Sequence, residues 1–597
     1  MDASTDPLEL AAGFPAAGED EWRALVAGVL RRSGRGDLDD PVEALTSTTY
    51  DGIRIRPLYA DRPAEPGLPG APPYVRGALP DRTGWDVRAQ HRDPDPRSTC
   101  AAGLTDLQGG ATSLWLVLGA DGVAVDDLHA ALQGVHLDLA PIALDAGAQT
   151  GAAATAFLGL ARDVDPGAVA GTLGADPIGL QARTGTVAEP GLLGDLARAA
   201  RPHPQLHVAT IDATVYHEAG AGDADELAVA TAVGVAYLRA LTDAGLSIEA
   251  ALRAVEFRFA VTADQFLSIA KLRAARRLWA RVAELSGVVG GRGQYQHAVT
   301  SAAMMTRRDP WVNMLRTTIA CFAAAIGGAD AITVLPFDAA IGLPDSFARR
   351  IARNTQAILH DESSLGRVVD AAGGSSYVEA LTAELAEKAW DEFTAIERAG
   401  GALAALEGGR IEELVARSRS ARAQDIAHRR FSLIGVSEFA LPDEAPVPRT
   451  PGPARATGGP LPSLRYAEPF EALRDRAEAV EPRPVVFLAA LGPLAAHSAR
   501  VGFATNLFNA AGLRTRVGPV EDFADSGASV ACLCSSDEVY TELGDAAVAQ
   551  LRGAGAAHIW LAGRRGSVTG VDGFVHAGCD ALEVLKTTLD LSLAATP

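Results

Sequence analysis

Near-continuous apolar runs of strand length alternate with longer stretches of helical period along most of the chain. "TSLWLVLG" (112–119) and "LHVATID" (206–212) read as buried parallel strands, because a strand covered on both faces shows no polar alternation. Amphipathic helices follow them. In "GDADELAVATAVGVAYLRALTDAG" Asp223 is expected to cap a helix, with Glu226 three positions on. Leu227, Ala230, Gly234, Leu238 and Leu241 share one face, and Gly245 ends it. Such β-then-α units over roughly 350 residues predict a (β/α)8 barrel, with a doubly wound sheet the other fold this pattern allows.

The same logic returns on a smaller scale near the C-terminus. "RPVVFLAAL", "ASVACLCSS" and "HIWLAGR" are strands, each followed by turn residues and a helical segment. That pattern predicts a flavodoxin-like sheet, whose ligands sit beyond the carboxyl ends of the strands. His497 follows the first of these strands and is expected in a loop there. "ALPDEAPVPRTPGPARATGGPLPS" (440–463), rich in Pro, Gly and Ala, reads as an extended linker, and "DRPAEPGLPGAPPYVRG" (61–77) as a surface arm. The expected organisation is an N-terminal region and arm over 1–80, the barrel over 81–439, a linker over 440–480 and the flavodoxin-like domain over 481–597.

Composition narrows the class. Hydrophobic residues make up 48% and charged residues 21% of the 597 positions, with 61 glycines, as in an α/β protein with close helix packing. A net charge of −21 argues against nucleic-acid binding, which concentrates Lys and Arg. The five cysteines, Cys100, Cys321, Cys532, Cys534 and Cys579, have no zinc spacing and fit a reducing compartment. "MDASTDPLEL" lacks the regions of a signal peptide, and no run of apolar residues is long enough to span a bilayer. A cytoplasmic protein without a membrane partner is expected.

Four segments carry a resemblance: "AKLRAARRLWARV" (270–282), "RRDPWVNMLRTTIACFAAAIGGADAI" (307–332), "LPDSFARRIARNTQAILHDES" (343–363) and "GRVVDAAGGSSYVEALTAELAEKAW" (366–390). They resemble the adenosylcobalamin-dependent acyl-CoA mutases, methylmalonyl-CoA mutase above all. "TSTTYDGIRIRPLY" (46–59), "WDVRAQHRDPDP" (85–96), "ADPIGLQARTGT" (175–186) and "IDATVYHEAGAGDADELA" (211–228) are similar to the small, or beta, subunit of the heterodimeric enzymes. The resemblance implies a homologous large, or alpha, partner subunit that carries adenosylcobalamin and isomerises succinyl-CoA and (R)-methylmalonyl-CoA.

It also implies site residues, which can be tested one by one. Cobalamin binding in the family rests on Asp-x-His-x-x-Gly, in which the histidine ligates cobalt and the aspartate orients it. Counting back from Gly512 puts His497 on the ligand, Ala495 on the aspartate and Arg500 on the glycine. The serines of "CLCSS", Ser535 and Ser536, resemble a cofactor-contacting loop but are also ordinary turn formers. In the barrel, "EAGA" (218–221) places Val215 where catalytic chains have a histidine donor for the thioester carbonyl, with Tyr216 and His217 off register. "ITVL" (332–335) keeps only Thr333 of a polar Leu-His-Thr-Asn, and no tyrosine lies between "PYVRG" and "WDVR". His297 falls on a pocket histidine, and Arg183 lies within a residue of a substrate-carboxylate arginine, where an exposed arginine is the ordinary explanation.

The implied reading is a subunit with no catalytic residue and no metal or cobalamin ligand of its own, inactive alone, with His297, His497, Ser535 and Ser536 as vestiges. A divergent active mutase that uses His297 and His497 is one alternative. A cobalamin-free, chaperone-like scaffold is another.

Overall fold

The computed structural model describes residues 13, 18–34, 40–60, 67–81, 83–189, 191–288, 290, 293–564, 566 and 568–595. Part of the expected arm, 61–66, lies outside the described residues.

Eight parallel strands close into a barrel in chain order: β1 Asp86–His91, β2 Ser113–Val117, β3 Ile142–Asp145, β4 Ala170–Ala175, β5 Gln205–Asp212, β6 Val255–Val261, β7 Gln296–Thr300 and β8 Ala331–Thr333. β8 returns to β1, pairing Ala331 with Asp86 and Ile332 with Val87. Of the two folds the pattern allows, the barrel is the one formed. β6 shows how a barrel strand sorts its residues. Phe257 stacks beside Phe259 and meets Trp279 of the covering helix at 4.7 Å, while Glu256 and Arg258 face the lumen.

The helix Asp223–Asp243 is buried on nearly every side, and the predicted face of Leu227, Ala230, Leu238 and Leu241 is almost wholly enclosed. Its cap differs from expectation. Gly222 is the N-cap, and Asp51, far away in sequence, accepts from the Asp223 and Ala224 amides at 3.0 and 3.1 Å. Asp223 is thereby free to pair with Lys271 at 3.0 Å. A cap supplied by another segment leaves no local spacing to read.

The second unit is a five-stranded parallel sheet in the order β10-β9-β11-β12-β13, with β9 Val485–Ala490, β10 Arg514–Gly518, β11 Val530–Cys534, β12 His558–Ala562 and β13 Gly573–Val575. This is the flavodoxin-like order. Period-two alternation assigns its faces: Val486, Leu488, Cys532 and Cys534 join one core, Phe487, Ala489, Ala531 and Leu533 the other.

The segment between the units is not a free linker. Residues 449–466 form a strap across the carboxyl-end mouth of the barrel. Arg449 pairs with Asp338, the Leu343 amide donates to the Thr450 carbonyl at 2.8 Å, and the Ala456 amide donates to Asp121 at 2.8 Å. The amides of Gly459 and Leu461 donate to the carbonyls of Arg183 and Ala182 at 3.0 and 3.1 Å. A Cβ on Gly459 would lie 2.3 Å from the Ala182 oxygen, so only glycine permits that approach. Leu461 is 2% exposed and belongs to the barrel core. The end of the expected linker is a helix, Glu468–Glu478, whose Phe470 belongs to the core of the second unit.

Candidate functional site

Large side chains fill the barrel lumen. Arg88 donates to Asp86, Ser113 and, at 3.5 Å, Glu256. Thr210 donates to the other oxygen of Glu256 at 3.1 Å and lies 3.0 Å from Thr172. One layer higher, Arg258 donates to Asp212 at 2.9 Å and Asp145 at 3.4 Å, and its guanidinium sits 4.0 Å above the Trp115 ring. Arg88, Arg258, Glu256 and Trp115 are each at most 4% exposed. Paired in this way the buried charges are tolerated; each alone would be costly.

His297 lies inside this network, fully buried, and meets Trp115 edge-on at 5.3 Å. Burial, then the charges of Arg88 and Arg258, hold its pKa well below the ordinary histidine value, so the ring is neutral. Its partners fix the tautomer. Arg258 Nε donates to Nδ1 at 3.3 Å, so Nε2 carries the proton and donates to Thr333 Oγ1 at 2.8 Å. Thr333 in turn donates to the Arg88 carbonyl at 2.9 Å. Both ring nitrogens of His297 are spent within the protein. The one polar residue kept in "ITVL" is its partner.

Val215 borders two small voids of about 30 and 20 Å3, the smaller beneath the strap, each with room for about one or two waters. Ligand sites run to some hundreds of cubic ångströms. Arg183 also lines both voids; its side chain is 20% exposed and 3.9 Å from Asp121, so it is not the exposed arginine expected. Arg455 of the strap covers the smaller void and donates to Glu218 at 2.8 Å, where Ser463 also donates at 2.7 Å. His217, off register in sequence, is buried. Its Nε2 lies 2.8 Å from Ser301 Oγ and its Nδ1 3.4 Å from Glu226, which Lys271 holds at 2.8 Å.

In the second unit His497 stands in the first turn of the helix Leu494–Asn509, not in a loop. Its Nδ1 is enclosed and has no hydrogen-bond partner, and the exposed Ala495 offers no acceptor. Arg500, three residues on, reaches beyond the strand ends. It donates to Asp537 at 2.7 Å, lies 5.0 Å over the Tyr540 ring, and its Nη1 would come within 3.0 Å of a Cβ at Gly563. Ser535 Oγ donates to the Leu491 carbonyl at 2.8 Å, and Ser536 caps the helix Asp537–Gly553. Both serines do the local work of turn residues. No group of three His, Cys, Asp or Glu side chains suited to a metal occurs among the described residues. No helix among them is long and apolar enough to cross a membrane.

The sequence reading missed Arg88, Trp115, Glu256, Arg258 and Arg455. A signal was present for Arg88, Glu256 and Arg258: charged residues at alternate positions of "VEFRFAV" and an arginine in "WDVR" are abnormal in a barrel strand and mark a polar lumen. Arg455 had no such signal, because its segment has linker composition.

The family model for methylmalonyl-CoA mutase matches residues 116–452. Over 608 residues the chain is 54% identical to the methylmalonyl-CoA mutase small subunit of Streptomyces virginiae, covering 98% of each chain. Over 619 residues it is 40% identical to the small subunit from Propionibacterium freudenreichii subsp. shermanii, covering 99% of this chain and 97% of that one. It is 29% identical over 467 residues to the methylmalonyl-CoA mutase of Escherichia coli, covering 71% of this chain and 64% of that one. A barrel of eight parallel strands followed by a flavodoxin-like sheet, with matches that run nearly end to end, leads to one conclusion: the chain belongs to the methylmalonyl-CoA mutase family.

Proposed function

We propose that this chain is the non-catalytic small subunit of a heterodimeric methylmalonyl-CoA mutase. Its larger homologous partner would hold adenosylcobalamin and interconvert succinyl-CoA and (R)-methylmalonyl-CoA in the cytoplasm. The filled lumen is the observation that carries this reading. Arg88, Trp115, Glu256, Arg258 and His297 occupy the axis, and the voids at Val215 are far below ligand size.

The cofactor side agrees. A cobalt-ligating imidazole needs an acceptor on its other nitrogen. His497 has none, Ala495 cannot supply one, and Arg500 takes up space beyond the strand ends. These residues do not fit cobalamin, and no step of the reaction is assigned to them. The relatives named as small subunits support the pairing. The division into an N-terminal region and arm (1–80), a barrel (81–439), a connecting segment (440–480) that here is a strap and a helix, and a degenerate cobalamin-type domain (481–597) belongs to the same proposal, with the arm wrapping the partner.

Purification of this chain alone and together with the larger chain tests the reading. One cobalamin per pair is expected, with none on the isolated chain and no turnover by it. His497-dependent cobalamin binding by the isolated chain, or turnover without a second chain, would overturn it.

A further inference from the structure

A cavity of about 600 Å3 lies at the carboxyl-end mouth of the barrel. It lies between the loop after β1, the helix Pro96–Gln108, the loop after β8 and the strap. Four arginines line it, and two of them are already committed. Arg455 holds Glu218 at 2.8 Å, and Arg465 holds Glu471 at 2.8 Å and Glu468 at 3.6 Å. Of the other wall carboxylates, Asp345 caps the helix Ser346–Ala357 and receives Arg449 at 2.9 Å, whereas Asp93, beside Arg92 in sequence, only accepts from the Asp95 amide at 3.0 Å and keeps its charge on the wall.

Arg92 and Arg349 are left without a carboxylate partner among the described residues. Each donates to a backbone carbonyl, Arg92 to Pro453 and Arg349 to Pro344, both at 2.7 Å. A guanidinium has five N–H donors, so most of this capacity is unspent. The Nε of Arg92 is enclosed with no acceptor at all. Burial, then the like charge of Arg455, push the pKa of Arg92 down, and the more distant charges of Asp121, Glu218 and Asp145 offset this only in part. Small apolar side chains, Ala101, Ala102, Ala339 and Ala340, also line it.

We propose that this cavity binds a small organic anion, its carboxylate or phosphate head on Arg92 and Arg349 and its uncharged body against the alanine wall. Planar guanidinium forks suit both head groups. The strap completes the site, because its Pro453 carbonyl holds Arg92 in place. This inference goes beyond the proposed function and does not depend on it, since binding is read without turnover.

Calorimetric titration of the full chain with phenyl phosphate, benzoate and benzyl alcohol tests the proposal. At least one anion should bind with one-to-one saturation, and benzyl alcohol at least tenfold more weakly; the anion that binds identifies the head group. Arg92→Gln and Arg349→Gln should each weaken that binding at least tenfold, while the exposed Arg198→Gln leaves it unchanged. Where Arg92→Gln fails to fold, Arg349→Gln decides. Binding by neither anion, equal binding of the alcohol, or unchanged affinity in Arg349→Gln would overturn the site.

Discussion

Arg258 donates from Nε to Nδ1 of His297 at 3.3 Å in the middle of the barrel. One hydrogen bond sets the tautomer of the histidine and directs its remaining proton to Thr333. A histidine held between an arginine and a threonine, edge-on to Trp115, is a packing element of the lumen.

Arg258→Met removes the cation that serves both Asp212 and Asp145. Asp145 and Asp212 are partly exposed and Asp212 keeps its bonds from Thr214, so the cost is about 1–3 kcal/mol, below that of a fully buried pair. Urea denaturation should show a loss of that size, and Asp212→Asn in the same chain should recover part of it. A loss below about 1 kcal/mol would mean that the lumen charges are not coupled.

In the proposed heterodimer, His497→Ala should leave the cobalamin count and the turnover unchanged, because Nδ1 has no partner to lose. The change in stability should stay within about 1 kcal/mol, as for a partly exposed side chain outside the core. A fall in bound cobalamin would return His497 to the role of ligand.

Arg455→Ala should loosen the strap. Glu218 loses its cation but keeps Ser463, so a cost of about 1–3 kcal/mol is expected from a half-satisfied buried acceptor. Hydrogen exchange should quicken at the Gly459 and Leu461 amides, which close the strap onto the Ala182–Arg183 backbone. Unchanged exchange there would show that backbone pairing alone holds the strap.

Asp176 gives a dependence on pH. Burial raises its pKa to about 6, against the Tyr237 hydroxyl, which donates at 2.5 Å. A carboxyl whose pKa is raised on folding contributes stability that is full below the unfolded value near 4. That contribution is lost as pH rises toward 6, by about 3 kcal/mol for a two-unit shift. Asp176→Asn cannot titrate, so its stability relative to the parent should improve between pH 4 and pH 7. A constant difference across that range would show that Asp176 titrates alike in both states.

The barrel and the second sheet were legible because strand-length apolar runs recur with helices between them, and no local spacing competes with that pattern. The face of the helix Asp223–Asp243 was legible for the same reason. Its cap was not, since Asp51 reaches it from a distant segment. At the site, it could be read from residue type alone that Val215 and Ala495 carry no donor or acceptor on their side chains. What fills the lumen could not: it is closed by pairs such as Arg88 with Glu256 and His297 with Thr333, which meet only when the barrel closes. The attachment of the strap was not legible, because Pro, Gly and Ala describe equally an unattached chain and one laid flat on a surface by its own backbone.

The strap also removes slack. Twenty-eight residues, 440–467, could span roughly 90 Å as a free tether. Yet the Tyr466 amide is fixed to the Ala303 carbonyl at 2.9 Å, and only Ala467 separates it from the helix Glu468–Glu478. Arg307 and Arg308 clasp that helix at Glu471, Asp475 and Glu478 over 2.6–3.1 Å. The leash is reefed to a single residue, so the second unit travels with the barrel instead of swinging on its arc. A partner that docks on one meets the other already in position and bears no entropic cost for bringing it there.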